Sequence, residues 1–261
     1  MSKLSVYIIA YNQISKIEAA IKSVLWADEV IVVDSYSIDG TTELAEKLGA
    51  RIIQVHFKGF GDLRNQAIAV CQYEWIFSLD SDERCTPEVR DEIVSIINSD
   101  QAVHIYKVPR KNYFLGRWIK YGGWYPDYRQ PQLFRKGSLS YVEDIVHENY
   151  QCYSKKPIGY LKKPILQIPF ENLSEMIAKM NRYSTLGVDR LKKRYTEASM
   201  SLALTHTIWT FLKVYVLRRG FLDGWPGFII AMGYSYGSFY RYAKFYEQEK
   251  LKQIDSIESI S

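Results

Sequence analysis

The stretch EWIFSLDSDE, residues 74–83, joins a short apolar segment to three carboxylates, Asp80, Asp82 and Glu83. The apolar part is rich in aromatic and branched side chains, which is typical of a buried β-strand. The segment TPEVRDEIVSIIN that follows is predicted to be a helix, with Thr86 as N-cap and Pro87 in its first turn. The acids therefore stand where a strand ends and a helix is about to begin.

The same strand-then-helix pattern recurs toward the N-terminus. LSVYIIA, EVIVVDS and RIIQVHF are predicted strands, and each precedes a segment with helical spacing: YNQISKIEAAIKSVLWA, TTELAEKLGA and DLRNQAIAVCQ. Alternation of this kind predicts an α/β fold with a mostly parallel sheet and helices on both faces. Ligands bind beyond the carboxyl ends of such strands, where Asn12, Asp34 and Asp80 are expected.

The pattern changes after residue 100. VHIYKVPRKNYFLGRWI and QPQLFRKGSLSYV are predicted strands of a mixed or antiparallel portion, separated by the Gly- and aromatic-rich loop YGGWYPDYR. From about residue 170 onward the spacing is helical. We therefore predict a catalytic domain over residues 1–165 and a helical C-terminal region over residues 166–261.

Composition narrows the class of protein. The net charge of +5 permits an anionic partner, but no zinc-finger or RNA-binding motif is present, so no nucleic-acid partner is predicted. Three cysteines without CxxC spacing indicate reduced packing residues in a cytoplasmic protein. No uninterrupted apolar run reaches about 18 residues, so no spanning helix is predicted.

Asp80 and Asp82 form a D-x-D pattern, and alternation along an extended chain puts both side chains on one side. Carboxylate pairs suit Mg²⁺ or Mn²⁺, which a diphosphate leaving group needs as its negative charge grows. Alternatively, the acids merely favour the start of the following helix. Asp34 could accept a hydrogen bond from a base or ribose; the alternative is that its segment only forms a turn. Arg64, near the start of a helix, suits phosphate; the alternative is an exposed arginine without a ligand.

Together, IIAYN, VIVVDSYSIDGT, LRNQA and FSLDSDE resemble the nucleotide-sugar half of family 2 glycosyltransferases, which have the GT-A fold. The family pattern is closer to VDDGSTDGT, so Ser35 stands in place of a second acid and Tyr36 in place of a glycine. The resemblance implies a UDP-sugar donor and a divalent metal at Asp82. It implies nucleotide-sugar contacts from Tyr11, Asn12, Asp34, Arg64 and Asp80.

The later segments GGWYPDYRQPQLFRK, VEDIVHE and RRGFLDGWPGFIIA resemble bacterial lipopolysaccharide-core β-1,4-glucosyltransferases. The implied reaction is inverting transfer of a hexose, with glucose from UDP-glucose favoured, to a lipid-linked glycan. Capsule, exopolysaccharide or lipid-linked oligosaccharide assembly is the alternative, and a nucleotidyltransferase or a non-catalytic membrane-binding module is less favoured. The first half lacks the Gly-rich basic loop that a triphosphate needs.

An inverting displacement needs a general base for the acceptor hydroxyl. Glu148 is favoured by the resemblance, with His147 beside it; Asp144 is the second choice and Asp127 the third. Trp124, Asp127 and Arg129 are expected to bind the acceptor, although loop packing and surface charge explain them equally well.

Residues 208–246 mix apolar aromatic side chains with lysines and arginines. An apolar helix face with a basic and aromatic rim suits a membrane surface. A helical subdomain packed on the core or an oligomer interface is the alternative. We expect the protein to be cytoplasmic and peripheral on the cytoplasmic face of the inner membrane.

Overall fold

The computed structural model describes residues 2–142, 149–195, 197 and 199–258. The chain divides into two compact units: Met1–Lys111 with Pro126–Ile168, and Asn112–Tyr125 with Pro169–Ser261. The strands are β1 (Leu4–Ala10), β2 (Glu29–Asp34), β3 (Arg51–Gln54), β4 (Trp75–Asp80), β5 (Glu83–Arg84), β6 (Ile105–Lys107), β7 (Arg110–Phe114), β8 (Arg117–Trp118), β9 (Pro131–Arg135), β10 (Leu139–Tyr141), β11 (Tyr150–Cys152), β12 (Gly159–Tyr160) and β13 (Ile165–Gln167). The helices are α1 (Ile14–Lys22), α2 (Thr41–Lys47), α3 (Phe60–Val70), α4 (Pro87–Ile97), α5 (Leu173–Leu186), α6 (Val188–Arg194), α7 (Met200–Phe211) and α8 (Gly224–Glu258).

The first unit is built on a seven-stranded sheet with the order β12-β6-β9-β4-β1-β2-β3. The strands β4, β1, β2 and β3 run parallel, whereas β9 runs antiparallel to both β4 and β6. The prediction of a mostly parallel sheet with an antiparallel portion after residue 100 is confirmed. Outside this sheet, β10 pairs antiparallel with β11, β5 with β13 and β7 with β8.

Alternation along β1 divides the core of the first unit into two layers. Val6 and Ile8 belong to one cluster with residues of α1 and α4, while Tyr7 and Ile9 belong to the other with residues of α3. Helices therefore cover both faces of the sheet, as the strand–helix alternation predicted. Cys71 and Cys85 are buried in this unit, Cys152 is exposed, and all three thiols are free.

Local sequence signals set the ends of α2 and α4. The Thr86 side chain accepts a hydrogen bond from the Val89 N–H (3.3 Å), and Pro87 occupies the first helical position, as predicted. Gly49 follows α2 with a φ of 88°, and its N–H bonds to the Glu46 carbonyl while the Ala50 N–H bonds to the Ala45 carbonyl. This pair of bonds satisfies carbonyls at the helix end, and glycine adopts the required left-handed conformation without a Cβ clash.

The second unit is mainly helical, which confirms the expected C-terminal helical region. The helices α5 and α7 begin at the side-chain caps Asn172 and Ser199. After α7 the chain forms a π-helix (Leu212–Leu217) and a 3₁₀ helix (Gly220–Asp223) before it enters α8. Two apolar clusters stabilise this unit, one around Phe114, Trp124, Phe170 and Ile230, and one around Leu191, Ala203, Tyr242 and Phe245.

Within the described residues, one segment has the length and composition of a membrane-crossing helix. It is Met200–Leu217, of 18 residues, with a mean hydropathy of 1.2. Only 11% of this segment is buried. An uninterrupted apolar run, the criterion applied to the sequence, does not select this segment, because Ser201, three threonines, His206 and Lys213 are interspersed along it.

Candidate active site

The carboxyl ends of three adjacent strands bring the predicted acids to one edge of the sheet. In the β1–β2 register Ala10 lies opposite Asp34, and in the β1–β4 register Ile9 lies opposite Asp80. Asp34 and Asp80 therefore flank the end of β1, which continues into the exposed Tyr11 and the half-buried Asn12. This edge is where ligands bind in parallel α/β sheets.

Arg64 lies beneath Asp80. It projects from α3, is buried, and donates from Nη2 to Asp80 Oδ1 (2.8 Å) and from Nη1 to Ser78 Oγ (2.9 Å). The side chain of Asp80 keeps 27% of its surface exposed. Arg64 thus holds the first acid of the D-x-D in place, which is a different contact from the direct phosphate contact that the sequence suggested.

A second buried ion pair supports the D-x-D from behind. Arg110 Nε donates to Glu83 Oε1 (2.5 Å), and both side chains are fully buried. Glu83 Oε2 accepts from the Asp80 N–H (2.9 Å) and from Gln132 Nε2 (2.8 Å). Glu83 therefore closes the turn that carries Asp80 and Asp82, and Arg110 and Gln132 fix Glu83.

Asp82 is held by the strand that pairs with β5. Gln167 Nε2 donates to Asp82 Oδ1 (3.1 Å), and the Ile168 N–H donates to the Asp82 carbonyl (2.9 Å). Asp82 itself is half-buried. We call Asp80, Asp82 and Glu83, with Arg64 and Arg110, the carboxylate edge.

The two acids at either end of this turn have opposite titration behaviour. Burial acts to raise the pKa of Asp80, but the positive charges of Arg64, Arg110 and Arg129 outweigh it, so the pKa lies below its usual range. Burial raises the pKa of Glu83 to about 7, although the charge of Arg110 opposes it. Asp80 therefore stays ionised at neutral pH, whereas Glu83 titrates near neutrality.

Asp34 is enclosed by its own loop. Its carboxylate is fully buried, and it accepts hydrogen bonds from the Ser37 N–H (2.7 Å) and from the Ser37 hydroxyl. The Asn12 N–H donates to Ser37 Oγ (2.7 Å), and Asn12 Oδ1 accepts from the Ile38 N–H (2.9 Å). Asp34 and Asn12 thus shape one loop, and their contacts to a nucleoside stay a prediction.

Tyr36 has a backbone conformation that glycine adopts more readily than any other residue. Its φ is 61°, in the left-handed region that disfavours a side chain. Its ring is exposed and stacks on His56, with 4.2 Å between ring centroids. Sequence reasoning noted the departure from glycine but missed the aromatic pair, because His56 lies on the loop after the next strand.

The predicted acceptor residues have different surroundings. Trp124 is only 7% exposed and belongs to the apolar core of the second unit, so little of its ring is available to stack on a sugar. In the first unit Arg129 is largely exposed and forms an ion pair with Asp127 (Nε to Oδ2, 2.8 Å). The acceptor roles of these three residues stay predictions.

The predicted base residues Glu148, His147 and Asp144 lie outside the described residues. In the part of the chain that the structure describes, no group of three or more His, Cys, Asp or Glu side chains is arranged to bind a metal. Mg²⁺ commonly takes only one or two protein carboxylates and completes its shell with substrate phosphates and water. Half-buried Asp80 and Asp82, both hard oxygen donors, fit that requirement.

Comparison with known proteins gives three findings on the whole chain and one on its first part. The model of the family "Glycosyl transferase family 2" matches residues 5–158. An uncharacterized glycosyltransferase of Rickettsia bellii is 31% identical over 94% of this chain and 86% of its own length. The lipopolysaccharide core biosynthesis glycosyltransferase LpsC of Rhizobium meliloti is 27% identical over 95% of this chain and 94% of its own. A crystal structure of S. aureus TarS 1-349 shares the fold, with a TM-score of 0.52 and 16% identity over 96% of this chain and 92% of that one.

Proposed function

Since this chain belongs to glycosyl transferase family 2 and is a glycosyltransferase, we propose that it transfers a hexose with inversion from a UDP-sugar to a surface-glycan acceptor. Glucose from UDP-glucose is the donor we favour, by resemblance to the lipopolysaccharide-core subgroup. The observation that carries the proposal is the carboxylate edge, where buried Arg64 and Glu83 hold Asp80 and Asp82 at the carboxyl ends of the parallel strands.

At the donor site, each residue has a role that follows from its position. Tyr11 is exposed beside the end of β1 and supplies a face for the base, while Asp34 and Asn12 shape the loop that faces the nucleoside. Arg64 orients Asp80 toward the nucleotide sugar. Asp82 would hold Mg²⁺ or Mn²⁺, and the metal would supply Lewis-acid stabilisation of the departing diphosphate.

Transfer with inversion needs a base on the acceptor side of the anomeric carbon. We assign this role to Glu148, with His147 beside it and Asp144 as the second choice. Asp127 and Arg129 supply one carboxylate and one guanidinium for acceptor hydroxyl or anionic groups, and Trp124 contributes through the packing of its loop.

For the acceptor we propose a lipopolysaccharide core or a related lipid-linked glycan. A relative named for lipopolysaccharide core biosynthesis, aligned over nearly the whole chain, supports this assignment. We place the protein peripherally on the cytoplasmic face of the inner membrane, where such acceptors are built. The largely exposed apolar segment Met200–Leu217 supports a membrane position.

The first experiment measures donor binding by thermal shift. UDP, UDP-glucose, UDP-galactose, UDP-N-acetylglucosamine and GDP-mannose are titrated with Mn²⁺, with Mg²⁺ or with chelator. A ligand that binds only the folded state stabilises it by about 2.7 kcal/mol at a concentration of one hundred times Kd, so the response does not require the acceptor. Metal-dependent stabilisation by UDP-glucose alone among the sugars is the expected result.

A response to GDP-mannose only, or to no nucleotide at all, would overturn the donor assignment. Glu148→Gln serves as the matched variant. It should retain donor binding and lose transfer to a lipopolysaccharide-core acceptor, because it removes the base and preserves the shape of the side chain.

A further inference from the structure

The second unit exposes an unusual amount of apolar surface along α7 and the π-helix. Leu204, Ile208, Leu212 and Val216 are all exposed and follow one another at intervals of four residues, so they share one helix face. Trp209 is exposed beside them. Contiguous exposed apolar surface of this kind marks an interaction site in most soluble proteins.

The opposite face of the same segment packs inside the unit. Ala203 clusters with Tyr242 and Phe245 in the middle of α8, and Val214 clusters with Ile230 near its start. The two helices therefore run antiparallel. At 18 residues, the segment is about 27 Å long, at the short end of what spans a hydrocarbon core of about 30 Å. These features favour a helix that lies along a membrane surface.

A tight turn joins the two helices and presents further apolar side chains. Leu217, Phe221, Leu222 and Trp225, which we call the apolar turn, are all exposed, Leu217 at 63% and Trp225 at 76%. A Cβ on Gly227 would lie 2.0 Å from the Gly220 carbonyl oxygen, so glycine there permits close approach of the two backbones. The turn is thus compact, and its apolar side chains are exposed.

A pocket of about 500 Å³ lies beside the apolar turn. It is lined by Arg117, Trp118, Lys120, Tyr121, Leu222 and Asp223. The Lys120 ammonium lies 4.5 Å from the centre of the Trp118 ring, and Arg117 Nη2 donates to the Leu222 carbonyl (3.1 Å). The pocket therefore combines two cations with an aromatic wall.

Asp223, the one acid of the pocket, has a structural task. It is buried, and its two carboxylate oxygens accept the N–H groups of Lys120 (3.2 Å) and Tyr121 (2.8 Å). From residue 200 to residue 246 the sequence contains no other acid, and three exposed basic residues, Lys213, Arg218 and Arg219, lie just before the turn. The apolar turn is therefore flanked by positive charge.

We infer that this pocket binds the phosphate of an anionic phospholipid headgroup while the apolar turn inserts among the acyl chains. Arg117 and Lys120 pair with the phosphate, Trp118 lies at the headgroup level, and Leu222 connects the pocket to the inserted side chains. A second copy of this chain is a poorer occupant, since it would present the same positive charge. The inference deepens the proposed membrane position and rests on it, but it does not depend on the sugar that is transferred.

The test is flotation of the full chain with vesicles of phosphatidylcholine alone and of phosphatidylcholine mixed with phosphatidylglycerol. We expect binding to the anionic vesicles that falls with added salt. Arg117→Ala and Lys120→Ala should each weaken it at least about five-fold, as expected for one basic residue at an anionic surface. Trp225→Ser should weaken binding to both kinds of vesicle.

Lys193→Ala is the matched control, because it removes the same charge from an exposed position of α6 in the same unit, away from the pocket and from the apolar turn. An equal loss for Lys193→Ala and Lys120→Ala would show diffuse attraction and overturn the pocket. If the protein binds soluble glycerol phosphate but does not bind vesicles, the phosphate that the pocket recognises does not belong to a lipid. A dimer in light scattering that Trp225→Ser dissociates would assign the surface to a second copy.

Donor binding by thermal shift is measured on the same variants without vesicles. If the wild type responds to UDP-glucose but does not float with either kind of vesicle, the headgroup site is excluded and the proposed transferase activity is not affected. If the wild type floats with anionic vesicles but responds to no nucleotide, the proposed donor is excluded and the proposed headgroup site is not affected.

Discussion

In the carboxylate edge, Glu83 and Arg110 are buried as an ion pair, whereas in the apolar turn Leu217 and Trp225 are left exposed. The first arrangement puts charge where water cannot reach, and each charge then depends on its partner. The second puts apolar surface where water can reach, and its side chains have little role in folding. The side chains of the carboxylate edge are therefore explained by contacts inside the fold. Those of the apolar turn are explained by an interaction with a partner outside the chain.

The largest effect on stability should come from breaking the buried pair. Arg110→Met leaves the Glu83 carboxylate buried without its partner and should cost about 3–5 kcal/mol in the free energy of unfolding. Urea denaturation followed by circular dichroism measures this. In the double variant Arg110→Met/Glu83→Met much of the loss should be recovered, because no charge remains buried. A double variant as unstable as the single one would show that Arg110 acts through packing alone.

The next effect concerns activity at the same edge. Asp82→Asn should lower kcat about 100-fold or more, the size expected when one group that stabilises transition-state charge is lost. Its stability should change little, because the amide oxygen can still accept the bond from Gln167. Transfer kinetics with Mn²⁺ and urea denaturation are measured in parallel. Activity that survives the substitution would remove the metal role proposed for Asp82.

Local patterns were enough to predict the sheet, its helices and the placement of Asp80 and Asp82 at its edge. Strand alternation, the Thr86 cap and the glycine after α2 all act over a few residues, so they can be read along the chain. The supports of the edge could not be predicted. Glu83 meets Arg110 and Gln132 across 27 and 49 residues, and Asp82 meets Gln167 across 85, and no local pattern encodes such pairing.

The apolar turn shows a second limit of sequence reasoning. Aromatic and basic residues in residues 208–246 indicated a membrane surface, with a helical subdomain packed on the core or an oligomer interface as the alternative. Exposure of the side chains depends on how α7 and α8 pack. The pocket depends on Arg117 and Lys120, which lie about a hundred residues before Leu222 and Asp223.

A smaller effect concerns backbone strain in the loop that follows β2. At Tyr36 the backbone has a φ of 61°, so Tyr36→Gly should be more stable than Tyr36→Ala by about 1 kcal/mol, because only the alanine keeps the left-handed penalty. Both variants lose the stack on His56, so their difference isolates the backbone. Equal unfolding midpoints in urea would show that the loop relaxes out of this conformation.

The smallest expected effect on stability concerns the apolar turn. Trp225→Ser should change the free energy of unfolding by no more than about 0.5 kcal/mol, because a side chain that is 76% exposed contributes little to the core. Trp124→Ala, in the same unit, should cost about 3–5 kcal/mol, because that ring is 7% exposed within an apolar cluster. Thermal and urea denaturation of the two variants give the contrast directly. A large loss for Trp225→Ser would mean that the apolar turn supports the fold, and its exposed side chains would then need no membrane to explain them.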